Sequence, residues 1–335
     1  MSLMTPESIR ALGDLFVERW RARLPAWERM DRVVLVGEVQ ALLCRTVCAW
    51  SGIPLTEAEA EARTRELAAM FEGAGAVGPR NWRGLMLRAR TERWARGLVE
   101  QVRSGALAVP EDCALAVVAR HTDLNGELLT AKTAAVELIN VLRPTVAVER
   151  FITFAALALH DHPECREPLR TDDAYPEMFV QEVRRFYPFF PLVAGRVLNG
   201  FDWRGHRFAE GTWVILDLHG TNHDPRSWEE PERFRPERFR GRPPSPFNPI
   251  PQGGGDFHDD HRCAGEWATI ELMKRAVRLL TTAMHYEVPE QDLTIDRSRM
   301  PAIPNSRFVI TGVRAAPSPA AAPLPAARPP AGWRV

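Results

Sequence analysis

The sequence predicts a mainly α-helical fold with a small β portion. Three observations carry this. Apolar residues recur at helical spacing through the first half of the chain. Strand-like runs with turn dipeptides are confined to 193–218. A proline-rich meander and a glycine run then precede one last long helix.

The elements follow in order. Thr5-Pro6-Glu7 supplies a cap, a proline for the first turn and an early acid, and Ile9, Leu12, Phe16 and Trp20 then share one helix face. A second helix is expected over Val33–Trp50. A third opens at Thr56, where Thr56 and Glu59 have capping-box spacing, and stops near Gly73-Ala74-Gly75. Residues 83–102 are charged and amphipathic, as in a surface helix. From Glu127 to about His160 the pattern is helical and so apolar that the helix must be buried along most of its length, with Arg143-Pro144 in its middle. Another helix covers 177–187. Asn199-Gly200, Arg204-Gly205 and Glu210-Gly211 divide the strand-like stretch. The meander runs from Pro225 to Pro251, and the last helix from about Gly265 to Met284. Residues 315–335, rich in Pro and Ala, cannot build a core and are expected to form a disordered tail after a folded unit over 1–314.

Composition narrows the functional classes. Of 335 residues, 43 are Lys or Arg and 43 are Asp or Glu, so a formal net charge of zero argues against nucleic acid or an acidic membrane surface as partner. No apolar run is long enough to span a bilayer, and Met1–Pro6 lacks the basic and apolar regions of a signal peptide, so a cytoplasmic protein is expected. The five cysteines are odd in number and widely spaced, which argues against a disulfide framework; Cys44 and Cys48 read as core residues.

Chemistry concentrates near Cys263. It lies between the Gly253-Gly254-Gly255 run and a helix, where glycine backbone can approach a flat ligand and free helix N-terminal amides can stabilise a thiolate. A cysteine before a helix is by itself as well explained by core packing. Glu182 and Arg185 lie three apart on one helix, and Arg238 follows in Phe234-Arg235-Pro236-Glu237-Arg238-Phe239; a carboxylate between two guanidiniums makes a bidentate network, or else simply a solvated face. His258, His261 and Cys263, with Asp256, Asp259 and Asp260, lack a zinc spacing and read better as a solvated loop.

The order of these parts, ExxR, strands, meander, glycine loop, Cys-x-Gly and helix, resembles the cytochrome P450 family. Asn140–Pro144, Met178–Pro188, Gly220–Arg226, Ile250–Gly255 and Gly75–Arg80 further resemble the bacterial fatty-acid peroxygenases and olefin-forming decarboxylases, from Met1 to about Arg314. The resemblance implies haem b with Cys263 as axial iron ligand, and Glu182, Arg185 and Arg238 holding the meander under it. It implies that Phe189, Phe190, Leu192 and Val193 line the substrate pocket. Where most of the family carries an acid and a hydroxyl residue, this sequence has Arg143 and Pro144; the resemblance makes them the catalytic pair, with Arg143 binding a long-chain fatty-acid carboxylate. That carboxylate would serve as acid–base for hydrogen peroxide, giving α- or β-hydroxylation or an alkene, with no obligatory redox partner. Without the family context, Arg143 could as well cap the carbonyls freed by Pro144 or pair with Glu149 or Glu137. A conventional dioxygen- and reductase-dependent monooxygenase using Thr145, or an inactive haem-binding remnant, is the alternative. Family chains begin well before the point matched by Met1, so the resemblance also implies a fold lacking its N-terminal part. Ala264 stands where the group often has proline.

Overall fold

The computed structural model describes residues 3–242 and 245–316. Thr5 caps α1 (Pro6–Trp27), its hydroxyl accepting from Ser8 N at 3.2 Å, and Ile9, Leu12, Phe16, Trp20, Leu24 and Trp27 form the buried face. The second helix starts two residues later than the sequence predicts. Val33–Val34 form β1, paired with Ile310 and Val309, and α2 covers Leu35–Trp50. The β-branched pair takes a partner from the far end of the chain, which local pattern cannot reveal. The capping box forms at the start of α3 (Glu57–Glu72). α4 (Pro79–Ser104) is longer than expected and packs Thr91, Ala95, Leu98 and Val99 inward, leaving its arginine-rich face outside. α5 (Ala114–Ala119) is short.

The long apolar segment is two helices, α6 (Ala131–Ala147) and α7 (Glu149–Asp161), broken at Val148. Pro144 has no N–H for the Asn140 carbonyl, and the Val148 N–H bonds Thr145 O at 3.3 Å, one residue short of the helical partner. The expected burial holds for α7, buried throughout Glu149–Leu159, whereas α6 buries one face. α8 (Arg166–Thr171) leads to α9 (Tyr175–Phe186).

Two small ribbons follow: β2 (Leu192–Arg196) pairs with β5 (Trp213–Asp217), and β3 (Phe201–Trp203) with β4 (His206–Phe208). Arg204-Gly205, with φ of 48° and 78°, makes the two-residue turn between β3 and β4. After α10 (Leu218–Asn222) the described residues of the meander include a 3-10 turn, Pro236–Phe239. The last helix, α11 (Glu266–Arg278), ends earlier than expected. A wider π turn over Leu279–Ala283 redirects the chain, and Met284 enters β6 (Met284–Glu287), which pairs with β7 (Val309–Ala315). Ala315 pairs with Met284 and Ala316 N bonds Ala283 O at 2.9 Å, so pairing runs past the expected boundary at 314. Residues 317–335 of the expected tail lie outside the described residues.

The core has two hydrophobic clusters. One is centred on α1, α7, α9 and α11, the other on α2 through α6; the half-buried Trp50 and Phe189 touch both. Among the described residues no helix is long and apolar enough to cross a membrane.

Candidate haem-thiolate site

Glu182 is the hub of the ExxR network. On α9 it faces Arg185, whose Nε and Nη2 donate to the two carboxylate oxygens, each at 2.8 Å. Arg238 Nε at 3.1 Å and Arg235 N at 2.8 Å complete its partners. The guanidiniums also grip backbone. Arg185 donates to Asn222 O and Pro231 O, and Arg238 to the carbonyls of Glu229, Glu230 and Arg233. The meander has little regular structure, so these carbonyls depend on side chains for their partners. Trp228 is buried beneath them, with Arg185, Arg238 and Arg242 against its ring.

A second buried network went unread in the sequence. Arg184 bonds Glu266 in the first turn of α11, Gln181 Oε1 at 2.6 Å and Gln252 Oε1 at 3.1 Å. Arg262 Nε reaches the other Glu266 oxygen at 2.7 Å. Gln252 is the joint: its Nε2 donates to Thr269 Oγ1 at 3.3 Å and points at Cys263 Sγ at 3.6 Å, and its carbonyl accepts from Cys263 N at 3.0 Å. The amphipathic pattern of 177–187 placed Arg184 on the helix beside Gln181, but its other partners, Gln252 and Glu266, sit 68 and 82 positions away in sequence, beyond any local signal.

Cys263 is the one cysteine of the five that is not fully buried, and all five are free thiols. Gly265 N donates to its sulfur, as expected at a helix start, yet burial pushes the thiol pKa up, with Glu266 adding to the rise and Arg184 and Gln252 opposing it. Two of the glycines also serve the loop's own packing. A Cβ on Gly253 (φ +88°) would lie 2.2 Å from His261 O, and one on Gly255 (φ +94°) 2.3 Å from Asp260 Oδ2. They let the loop fold against its own return arm. Asp256 and Asp260 serve the same loop by accepting from His258 N and Asp256 N. Among the described residues no group of His, Cys, Asp and Glu could hold a bare metal ion. A partly accessible sulfur with a backbone N–H and an amide N–H directed at it is the donor set a haem thiolate requires, so the residues present fit haem.

Arg143 is half-buried on α6 beside the exposed Pro144, and no hydrogen bond or ion pair holds it among the described residues. Neither expected alternative partner takes it: Glu149 is held by Arg150 and Gln40, and Glu137 is exposed. Burial and then the Arg88 guanidinium make its charged form less favourable. The Thr145 hydroxyl donates to Val141 O at 2.9 Å. Phe189 and Phe190, rings 4.8 Å apart, line a narrow cleft with Arg184, Arg185, His219 and Pro251. Phe189 also stacks on Phe151 of α7, so it packs core and lines the cleft at once. Leu192 and Val193 lie in β2 and do not line that cleft.

Comparison with known proteins matches residues 158–273 to cytochrome P450. Cytochrome P450SP alpha in complex with (R)-ibuprofen superposes with a TM-score of 0.90 and 48% identity, over 93% of this chain and 77% of that one. The chain belongs to the cytochrome P450 family. Cytochrome P450EX alpha with myristic acid is 43% identical (TM-score 0.89, 94% and 76% covered). An OleT variant with arachidonic acid is 34% identical (TM-score 0.90, 95% and 76% covered). More distant relatives include cytochrome P450 71A8 of Mentha piperita, 27% identical over 47% of this chain and 35% of its own. Putative cytochrome P450 132 of Mycobacterium tuberculosis is 34% identical over 34% and 24%. The matched segment thus spans about a third or less of these two curated relatives. The family's prosthetic group is haem iron.

Proposed function

We propose that this P450 is a fatty-acid peroxygenase, with Cys263 as axial haem ligand and Arg143 as anchor for the substrate carboxylate. One observation carries the reading. Arg143 is a half-buried guanidinium without a counter-ion among the described residues, next to a helix-breaking proline. An unpaired cation of that kind is costly, and a planar donor fork suits a carboxylate. The similar structures named above were determined with ibuprofen, myristic acid and arachidonic acid, all carboxylic acids.

When bound, haem supplies an iron centre whose oxidant-activating power a thiolate ligand increases. Cys263 would provide that thiolate, with Gly265 N and Gln252 orienting the sulfur. Arg143 fixes the fatty-acid head, and the held carboxylate takes the proton that hydrogen peroxide gives up, the duty that an acidic side chain would otherwise perform. Glu182, Arg185 and Arg238 hold the meander and touch no substrate in this reading. Oxidation close to the carboxyl group follows from anchoring that end, giving α- or β-hydroxy acids or decarboxylated alkenes, without a redox partner. The five free thiols favour a reducing, cytoplasmic setting.

The test is Arg143→Ala in haem-loaded protein, assayed with hydrogen peroxide and a long-chain fatty acid. Turnover should fall by far more than a rise in KM explains, while the haem spectrum survives. Near-normal oxidation by the variant would overturn the reading, and activity that needs a reductase instead of peroxide would favour a monooxygenase using Thr145.

A further inference from the structure

We propose that four arginines gathered around Glu72, at the turn between α3 and α4, form a binding site for a phosphate group. The site stands apart from the haem-thiolate reading. Glu72 ends α3. Its carbonyl accepts from Arg80 Nη2 at 3.0 Å, on the first turn of α4. Its carboxylate accepts from Arg150 Nη2 at 3.3 Å and Gln40 Nε2 at 3.2 Å, and faces Arg307 Nη2 at 3.6 Å. The fourth arginine, Arg299, comes from the loop before β7. That loop packs on the α3–α4 turn, where a Cβ on Gly75 would lie 2.6 Å from Met300 Cβ.

Positive charge here exceeds its partners. Arg299 is half-buried and its guanidinium makes no hydrogen bond or ion pair among the described residues; burial, then Arg80, Arg150 and Arg307, disfavour its charged form. Arg150 is fully buried and its Nε has no acceptor among the described residues. Of the carboxylates at hand, Glu149 is buried and pushed up to about 7, so it is only partly ionised at neutral pH. Asp296, on the same loop as Arg299, accepts instead from Ser298 N and Oγ. Four guanidiniums thus meet two carboxylates, Glu72 and Glu149, and Glu149 is taken up by Arg150. A dianion meets that excess where a single carboxylate would not, and guanidinium forks match tetrahedral oxyanions. The backbone supports the assignment. Arg307 and Phe308 sit side by side at φ of 62° and 54°, a left-handed conformation that non-glycine side chains rarely adopt and that collects at binding sites.

The phosphate could be free or carried on a larger molecule. The experiment is calorimetric titration of the haem-loaded chain with inorganic phosphate, with phosphopantetheine and with acetate, all at fixed ionic strength. Saturable binding of one phosphate per chain is expected, and Arg299→Gln should weaken it about ten-fold or more, the loss of a charge-assisted bond. Arg83→Gln, an exposed α4 arginine outside the cluster, should bind as the parent does. If Arg299→Gln fails to fold, the exposed Arg80→Gln carries the same expectation. Phosphopantetheine binding at least as tightly as phosphate would assign the site to a carried phosphoryl group; weaker binding would assign it to the free ion. No saturable binding, equal affinity in Arg299→Gln, equal weakening in Arg83→Gln, or acetate binding as tightly as phosphate would each overturn the proposal.

Discussion

Replacing Glu182 by alanine removes the one carboxylate on which the ExxR network converges. The side chains of Glu182 and Arg185 are 0% exposed and that of Arg238 is 4% exposed, so water cannot replace the lost acceptor without opening the site. Breaking a buried ion pair by deleting one partner costs about 3–5 kcal/mol. Here the stranded cations are not wholly abandoned, because Arg185 keeps two carbonyl acceptors and Arg238 keeps three. That places the ion-pair loss near the lower bound. Arg235 N also loses its acceptor, which adds about 1 kcal/mol. The sum, about 4 kcal/mol, is a large share of the roughly 5–15 kcal/mol by which a folded domain is stable. Thermal unfolding followed by circular dichroism should register a fall of roughly 8 °C, at about 2 °C per kcal/mol for a chain of this size. The meander should also become the first segment to exchange amide protons. Glu182→Gln, which keeps one acceptor oxygen, should fall between the two. A Glu182→Ala protein within about 1 kcal/mol of the parent would refute the reasoning, since the network would then be dispensable.

Three further outcomes are expected. Burial holds the Glu149 carboxyl at about 7 against an ordinary 4.5, so the folded state binds its proton more tightly than the unfolded state. This contribution is therefore fully present below pH 4.5 and is lost as pH rises through 7, by about 3 kcal/mol; urea melts from pH 5 to 8 should show the decline, and Glu149→Gln should flatten it. Cys263→Ala should abolish the red-shifted Soret band of the reduced carbon-monoxide complex, and its retention would reject Cys263 as ligand. Thr56→Ala removes the hydroxyl that accepts from Glu59 N in the α3 capping box, leaving the Thr56 backbone N–H to Glu59, and should cost about 1 kcal/mol in denaturant melts.

Local physics made much of this protein legible from its residues. Caps at Thr5 and Thr56, the helical face of α1 and the two-residue turn at Arg204-Gly205 each depend on neighbours a few positions away, and each forms as the spacing predicts. The break at Val148 traces to Pro144 close by, but at two other places where the sequence reading slipped a distant partner was involved. Val33–Val34 leave the helix because β7 pairs with them, and Met284 leaves the last helix because Ala315 does. The ExxR residues could be named from their order, but only the fold brings Glu182 between Arg185 and Arg238 and gives their spare donors the meander's carbonyls. Gln252, the link between Arg184 and the Cys263 sulfur, carried no signal of its own in sequence. The same holds for the arginines around Glu72, drawn from α4, α7 and the loop before β7. Sequence fixes which groups exist and how each turn of chain is shaped; electrostatic partnership acts through space, and only the packed structure decides which charges share it.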